Sequence, residues 1–471
     1  MFERNFDEKH YKALTRLVKN YENNASGLFD EDSLEQIIDF YEDNNELEKA
    51  LNAADDAINQ HPFSSVFMVK KAQIFFDLKQ FDQALDLLDK ALVLDSHDIQ
   101  IYLLQSDIQV WLGHFQKAVD TILDAIEVID EREELPDLYL ELADIYEEWE
   151  KYDKVFEALT ATLHHDPEND EALNRLWFCV ELSECFNESI TFHKAFIDEN
   201  PYSYLGWFNL AHAYVGIGAH EEAIDAFEFV MAINENYEYA YKDCADVLML
   251  TGNYNKAIEY YSEALKRSKP YKELYIKLGE CFEIKEDYQK ARFYYRKASN
   301  IDPYFDSAYN KLAHTYLLEG RPQIAIPLFE KSCELLPNSA IYLTDLAEAY
   351  KEAEAFEQAD KYFEKALIAE EQVSEEIWIK WAMSKIAAGD FSDALAIIED
   401  GESRFSDTPE ELNVAKFVAL YINGKKLAAF ALIEDLLESN KMTISMAIAL
   451  YPPLLDDVRV IDLLEEYDVE L

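Results

Sequence analysis

The chain is poor in the residues that punctuate or cross-link ordinary folds. Eleven glycines and twelve prolines in 471 residues are too few for a linker-rich or disordered protein, so they read as marks between helices. Five cysteines, Cys179, Cys185, Cys244, Cys281 and Cys333, form no CxxC pair, and their odd number leaves a thiol free in any pairing. They fit small structural hydrophobes in a reducing compartment. No run approaches the roughly 18 apolar residues of a membrane span. The segment Met1 to Asp7 is charged where a secretory signal would be apolar. These absences set the expectation of a cytoplasmic protein with no membrane partner.

Basic residues are scarce as well. Ninety-five acids against 42 bases give a net charge of −53. That surface suits solubility, a salt-adapted organism or basic partners, and it opposes nucleic acid at long range. Catalytic signatures are missing: there is no GxxxxGK[ST], GxSxG or HExxH. The adjacent pair His164-His165 lacks the i, i+4 spacing and third ligand of a metal site. No enzyme activity, catalytic residue, metal or cofactor is expected.

What the chain does have is a period. Trp207-x2-Leu210-Ala211-x2-Tyr214 precedes Ala223-x3-Phe227. Tyr275-x2-Leu278-Gly279-x2-Phe282 precedes Ala291-x3-Tyr295 and Pro303, and Tyr309-x2-Leu312-Ala313-x2-Tyr316 precedes Ala325-x3-Phe329 and Pro337. The pattern resembles the tetratricopeptide repeat, a pair of antiparallel helices in about 34 residues. Extended outward, it places repeat starts at 31, 65, 99, 136, 170, 204, 238, 272, 306, 340, 375 and 410. Position 20 then holds Ala50, Ala84, Ala118, Val155, Ser189, Ala223, Ala257, Ala291, Ala325, Ala359, Ala394 and Ala429. Position 8 is small at Ala72, Ala143, Ala211, Ala245, Gly279, Ala313, Ala347 and Ala382, because two helices meet closely there. Gly113, Gly218, Gly252, Gly320, Gly389 and Gly424 share position 15, where a helix end wants positive φ. Pro62, Pro167, Pro201, Pro303 and Pro337 share position 32, just past the second helix.

The resemblance implies an all-α fold, a right-handed superhelical α-solenoid of about twelve repeats with capping helices at both ends. Residues 1–30 form an N-terminal cap and loop, 31–440 the array, and 441–471 C-terminal caps. The N-terminal cap is expected over Asp7 to about Tyr21, with Tyr11, Leu14, Leu17, Val18 and Tyr21 on one face. The C-terminal caps are expected at Met442–Leu450 and Asp456–Tyr467. Departures stand out. Glu131 to Leu135 lengthen one junction, Trp177 and Ser189 occupy positions 8 and 20 of the repeat at 170, and Pro327 should kink its helix. Asn413 and Lys416 fall on nominal core positions past 410.

In this family the first helices line a concave groove, and the resemblance implies that positions 2, 5, 9 and 12 point into it. Carried onto this chain, the groove would include Asn174, Phe178, Glu181, Phe208, His212, Val215, Tyr239, Lys242, Asp246, Met249, Glu280, Asn310 and His314. Apolar groups flanked by acids suit a partner segment with basic and apolar residues. The clamp that grips acidic chaperone tails is disfavoured, since Lys242, Asn310 and Lys311 are scattered among acids. One stretch reverses the charge. Residues 256–297 carry eleven bases against seven acids, with seven tyrosines interleaved, which suits an acidic protein surface or another copy of this chain. The expected function is a protein–protein interaction scaffold. The alternatives are a self-associating structural protein and a non-catalytic regulatory subunit.

Overall fold

The computed structural model describes residues 8–23, 27–129, 133–369, 375–404, 409–467 and 469. Every regular element among them is helical: 27 α-helices and one short 3-10 helix, Pro452–Asp456. The chain divides into two compact units, Met1–Val247 and Leu248–Leu471. Within each unit, helices of mostly 13 and 14 residues alternate, for example Tyr204–Gly216 with His220–Ile233, and Lys272–Ile284 with Tyr288–Ile301. No helix among the described residues is long and apolar enough to cross a membrane.

Local chemistry explains where the helices begin and end. The residue before several repeat starts is an oxygen-bearing cap: the side chains of Asp30, Asp98, Asn169, Ser203 and Ser339 accept from a backbone N–H of the first turn. At the other end of the first helix, the position-15 residue has positive φ in every repeat of the sequence frame. Six are the glycines, with φ of 70 to 84°. The other six are Asn45, Lys79, Glu150, Glu184, Glu286 and Glu354, with φ of 56 to 59°. Around most of them two backbone bonds close the helix end. At Gly113, for instance, Gly113 N donates to Val110 O and His114 N to Gln109 O, both at 2.8 Å.

Close contact between helices explains the small residues. All twelve position-20 side chains are at most 1 % exposed. Gly279 packs so tightly on the buried Tyr295 ring that a Cβ there would run into it. Filling these contacts is what removes the apolar face of each helix from water.

The repeat at 170 departs from this packing. Its helices Asp170–Ser183 and Phe186–Glu199 barely touch, and the first leans instead on Tyr204–Gly216 and on Tyr152–His165. Trp177 at position 8 is too large for a close approach, and its ring lies 5.4 Å from that of His212. Beside Ser189 the second helix buries His193 completely. Its Nδ1 donates to the Ser189 carbonyl at 2.8 Å, and burial pushes the imidazole down to a pKa of about 4.

At the N-terminus, helix Glu8–Asn23 buries Val18 and Tyr21 with Leu14 and Leu17 packed beside them. Asp7 and the Tyr11 side chain lie outside the described residues, as do Glu131 and Arg132. Glu133 and Glu134 form a turn and Leu135 opens a helix with Pro136 in its first turn. Helix Pro322–Leu335 runs through Pro327 without interruption. Past 410, helix Glu410–Ile422 turns Phe417, Val418 and Ala419 inward, while Lys416 reaches Glu402 at 2.7 Å. Helices Thr443–Leu450 and Val458–Glu466 flank the short 3-10 turn at Pro452 and bury Ile444, Leu454, Val460 and Leu463 against the last repeats.

Candidate functional site

Successive first helices within a unit are joined by a recurrent polar pair. The position-9 residue of one repeat meets the position-6 residue of the next. Asp39 meets Lys70, Asp144 meets Arg175 at 2.6 Å, and His212 meets Asp243 at 3.1 Å. Glu280 meets Lys311 at 2.7 Å, and His314 meets Asp345 at 3.1 Å. Each such pair is half-exposed and contributes about 0.2–1 kcal/mol, but together they tie down the surface that the family resemblance assigned to partners.

At one junction two acids meet instead. Between the repeats at 99 and 136, position 9 is Asp107 and position 6 is Glu141, so acid faces acid. The two line a cleft of about 820 Å³ with Asp144, Glu147, Glu148 and Glu171, and Arg175 is the sole base in its wall among the described residues. Helices Ile99–Trp111, Leu135–Glu148 and Asp170–Ser183 supply all of these side chains. Val110, Ile145 and Tyr152 add apolar surface. Burial pushes the Glu141 carboxyl up to about 7 against the lowering effect of a hydrogen bond from Ser106, with Asp107, Asp144 and Glu148 adding to the rise. Asp107 is likewise held above its ordinary value, by burial in the cleft first and by Glu148 and Asp144 next. Like charges sharing a concave site disfavour full ionisation, so the cleft is short of a cation.

The groove residues named from the sequence are only partly available. Phe178 is 47 % exposed and Tyr239 54 %, and Asn174 and Glu181 are also exposed. Phe208 is not open to a partner: it is 4 % exposed and its ring packs against Phe227, Tyr237 and His212. It belongs to the core because position 5 of that helix is turned inward by the aromatic cluster beneath it. Asn310, 7 % exposed, is likewise withdrawn, donating to Asp345 at 2.8 Å. His212, His314 and Glu280 are taken up by the pairs described above. Lys242 is held by Asp243 at 2.8 Å and Asp246 at 3.0 Å. Val215 and Met249 are half-buried.

The basic stretch 256–297 meets much of its charge locally. Lys266 and Arg267 both reach Glu263 at 2.5 Å, Lys272 reaches Asp302 at 2.6 Å, and Lys290 reaches Asp287 at 2.7 Å. His164 and His165 are exposed at a helix end, where His165 stacks on Tyr139 and His164 meets Phe192 edge-on. The acidic cleft was missed by the sequence reading because Glu141 stands at position 6, outside the positions assigned to the groove. The signal that could have found it was the acid–acid match across an offset where other repeats place opposite charges.

Two profiles of the tetratricopeptide-repeat family match the chain, one at residues 36–99 and 245–304, the other at 205–237 and 306–339. Among curated proteins, BBSome complex member BBS4 of Bos taurus is 31 % identical over 159 residues, which is 32 % of this chain and 28 % of that protein. The chain thus aligns with less than a third of that relative's length. Among solved structures, yeast Tom70 aligns over 98 % of this chain and 96 % of its own at 14 % identity and a TM-score of 0.42. YrrB, described as a TPR protein with an unusual peptide-binding site, aligns over 38 % of this chain and 92 % of its own, at 20 % identity and a TM-score of 0.33.

Proposed function

Because the chain is a multi-repeat tetratricopeptide protein, a class that indicates protein–protein interaction scaffolds, we propose that it captures a partner segment carrying basic and apolar residues in the cleft of its first unit. The observation that carries this reading is the mismatched junction. Asp107 and Glu141 face each other where three other junctions pair an acid with Lys or Arg and two pair His with Asp, so a Lys or Arg from outside would supply the missing cation. Its charge would be worth most at Glu141, which burial leaves reluctant to ionise alone. Val110, Ile145 and Tyr152 offer the apolar contact, and the surrounding acids would speed encounter in a salt-dependent way. The scaffold acts without catalysis of its own, and its five cysteines, none of them in a disulfide, suit a cytoplasmic setting.

Co-purification from the cell of origin, followed by mass spectrometry, tests the reading with Glu141→Lys as the control. That substitution restores the opposite-charge pair of the other junctions, so it should fold normally while losing the partner. Retention of the same partner by Glu141→Lys, or a partner whose captured segment is acidic, would sink the proposal.

A further inference from the structure

A second charged site lies in the unit Leu248–Leu471 and has the opposite sign. Three of the chain's ten arginines converge on one tyrosine. The Arg292 guanidinium stands 4.6 Å from the centroid of the Tyr316 ring and that of Arg321 5.5 Å. Arg296 Nη2 donates to the Tyr316 hydroxyl at 2.7 Å. One carboxylate serves the cluster: Glu319 lies 3.0 Å from Arg292 and 3.7 Å from Arg321. Arg292 is 7 % exposed, and its Nη1 is buried with no acceptor among the described residues. Buried charged donors are ordinarily satisfied, and an exception calls for an explanation.

The repeat itself does not require these arginines. One repeat further on, Tyr350 occupies the place of Tyr316, and its hydroxyl donates to Glu330, which stands where Arg296 does. Ile326 stands in the place of Arg292 and Ala355 in that of Arg321. The helix that supplies two of the arginines, Tyr288–Ile301, contains four bases and no acid in a chain of net charge −53. Phe293 on that helix is exposed, with Lys297 Nζ 5.5 Å from its ring centroid.

We propose that Arg292, Arg296 and Arg321 around Tyr316 form an oxyanion-binding site that takes a carboxylate or phosphoryl group on a peptide segment of a partner protein. Guanidinium forks match both groups. Arg292 is already ordered and desolvated by its neighbours, Arg296 and Arg321 are exposed at the rim, and the Tyr316 hydroxyl can donate its own proton while accepting from Arg296. Phe293 gives an apolar foothold beside the charge. Nucleic acid is disfavoured because the acidic remainder of the chain repels a long polyanion. The site uses none of the cleft residues of the first unit.

The test is isothermal titration of the full chain with two synthetic peptides, each holding a leucine next to either glutamate or phosphoserine. Inorganic phosphate serves as competitor, and thermal melts monitor the fold of each variant. At least one peptide should bind, more weakly as salt rises. Arg296→Glu with Arg321→Glu should weaken binding by at least about tenfold through loss of charge-assisted bonds, and Tyr316→Phe should weaken it less. Response to one peptide alone assigns the oxyanion as carboxylate or phosphoryl. Binding by neither peptide, or equal binding by the double variant, overturns the proposal.

Discussion

Replacing Lys79, Glu150 and Glu286 by glycine should stabilise the protein, although each substitution removes a side chain and adds chain entropy. The three backbones sit at φ of 58°, a left-handed conformation that costs an L-residue about 1–2 kcal/mol. Glycine avoids that cost but gives back up to about 1 kcal/mol by freeing the unfolded chain. The net gain is about 0.5–1 kcal/mol per site. The sites are far apart in the chain and share no partner, so the triple variant should gain about 1.5–3 kcal/mol. The mirror experiment is Gly113→Ala or Gly218→Ala. A Cβ at either position meets nothing within 4 Å, so the expected loss of about 1 kcal/mol is backbone strain alone. Urea unfolding followed by helical circular dichroism reads both, through midpoints compared at constant slope. The outcome that refutes the reasoning is a sign change. If Glu286→Gly costs about 1 kcal/mol, as glycine does inside a helix, the turn is not where the structure puts it.

Two further perturbations separate core from surface and test the cleft. Phe208→Ala should cost about 3–5 kcal/mol, as for a buried aromatic, whereas Phe178→Ala and Tyr239→Ala should stay within about 0.5 kcal/mol; thermal melts decide. Glu141 titrates in the folded chain near 7 instead of 4.5, so folding disfavours its ionised form. That penalty is fully present above pH 7 and fades as pH falls toward 4.5. Glu141→Gln should therefore be more stable than the parent at pH 8, with that advantage largely gone by about pH 4. Glu42, raised to about 7 chiefly by burial, keeps the same slope in both proteins. A difference independent of pH would remove Glu141 from the account.

The alanines, glycines and prolines of this sequence reveal its helix pairs because each repeat imposes the same close approach at the same place. That demand is local or nearest-neighbour, so it leaves a periodic mark. The mark is incomplete even there: glycine announces only six of the twelve left-handed turns, and Glu184 or Lys79 is driven into the same backbone by the packing on either side. Burial of Phe208 and Asn310 was not legible, because helical spacing fixes which residues share a face but not how far each helix rotates against its neighbours. The same holds for the two charged sites. Asp107 and Glu141 are 34 residues apart, and Arg292, Arg296 and Arg321 straddle two repeats. Composition and period determined that the chain is an acidic array of helix pairs. Only the tertiary structure decided where that array leaves charge unmatched, because matching depends on which side chains meet between repeats and not on the period that generates them.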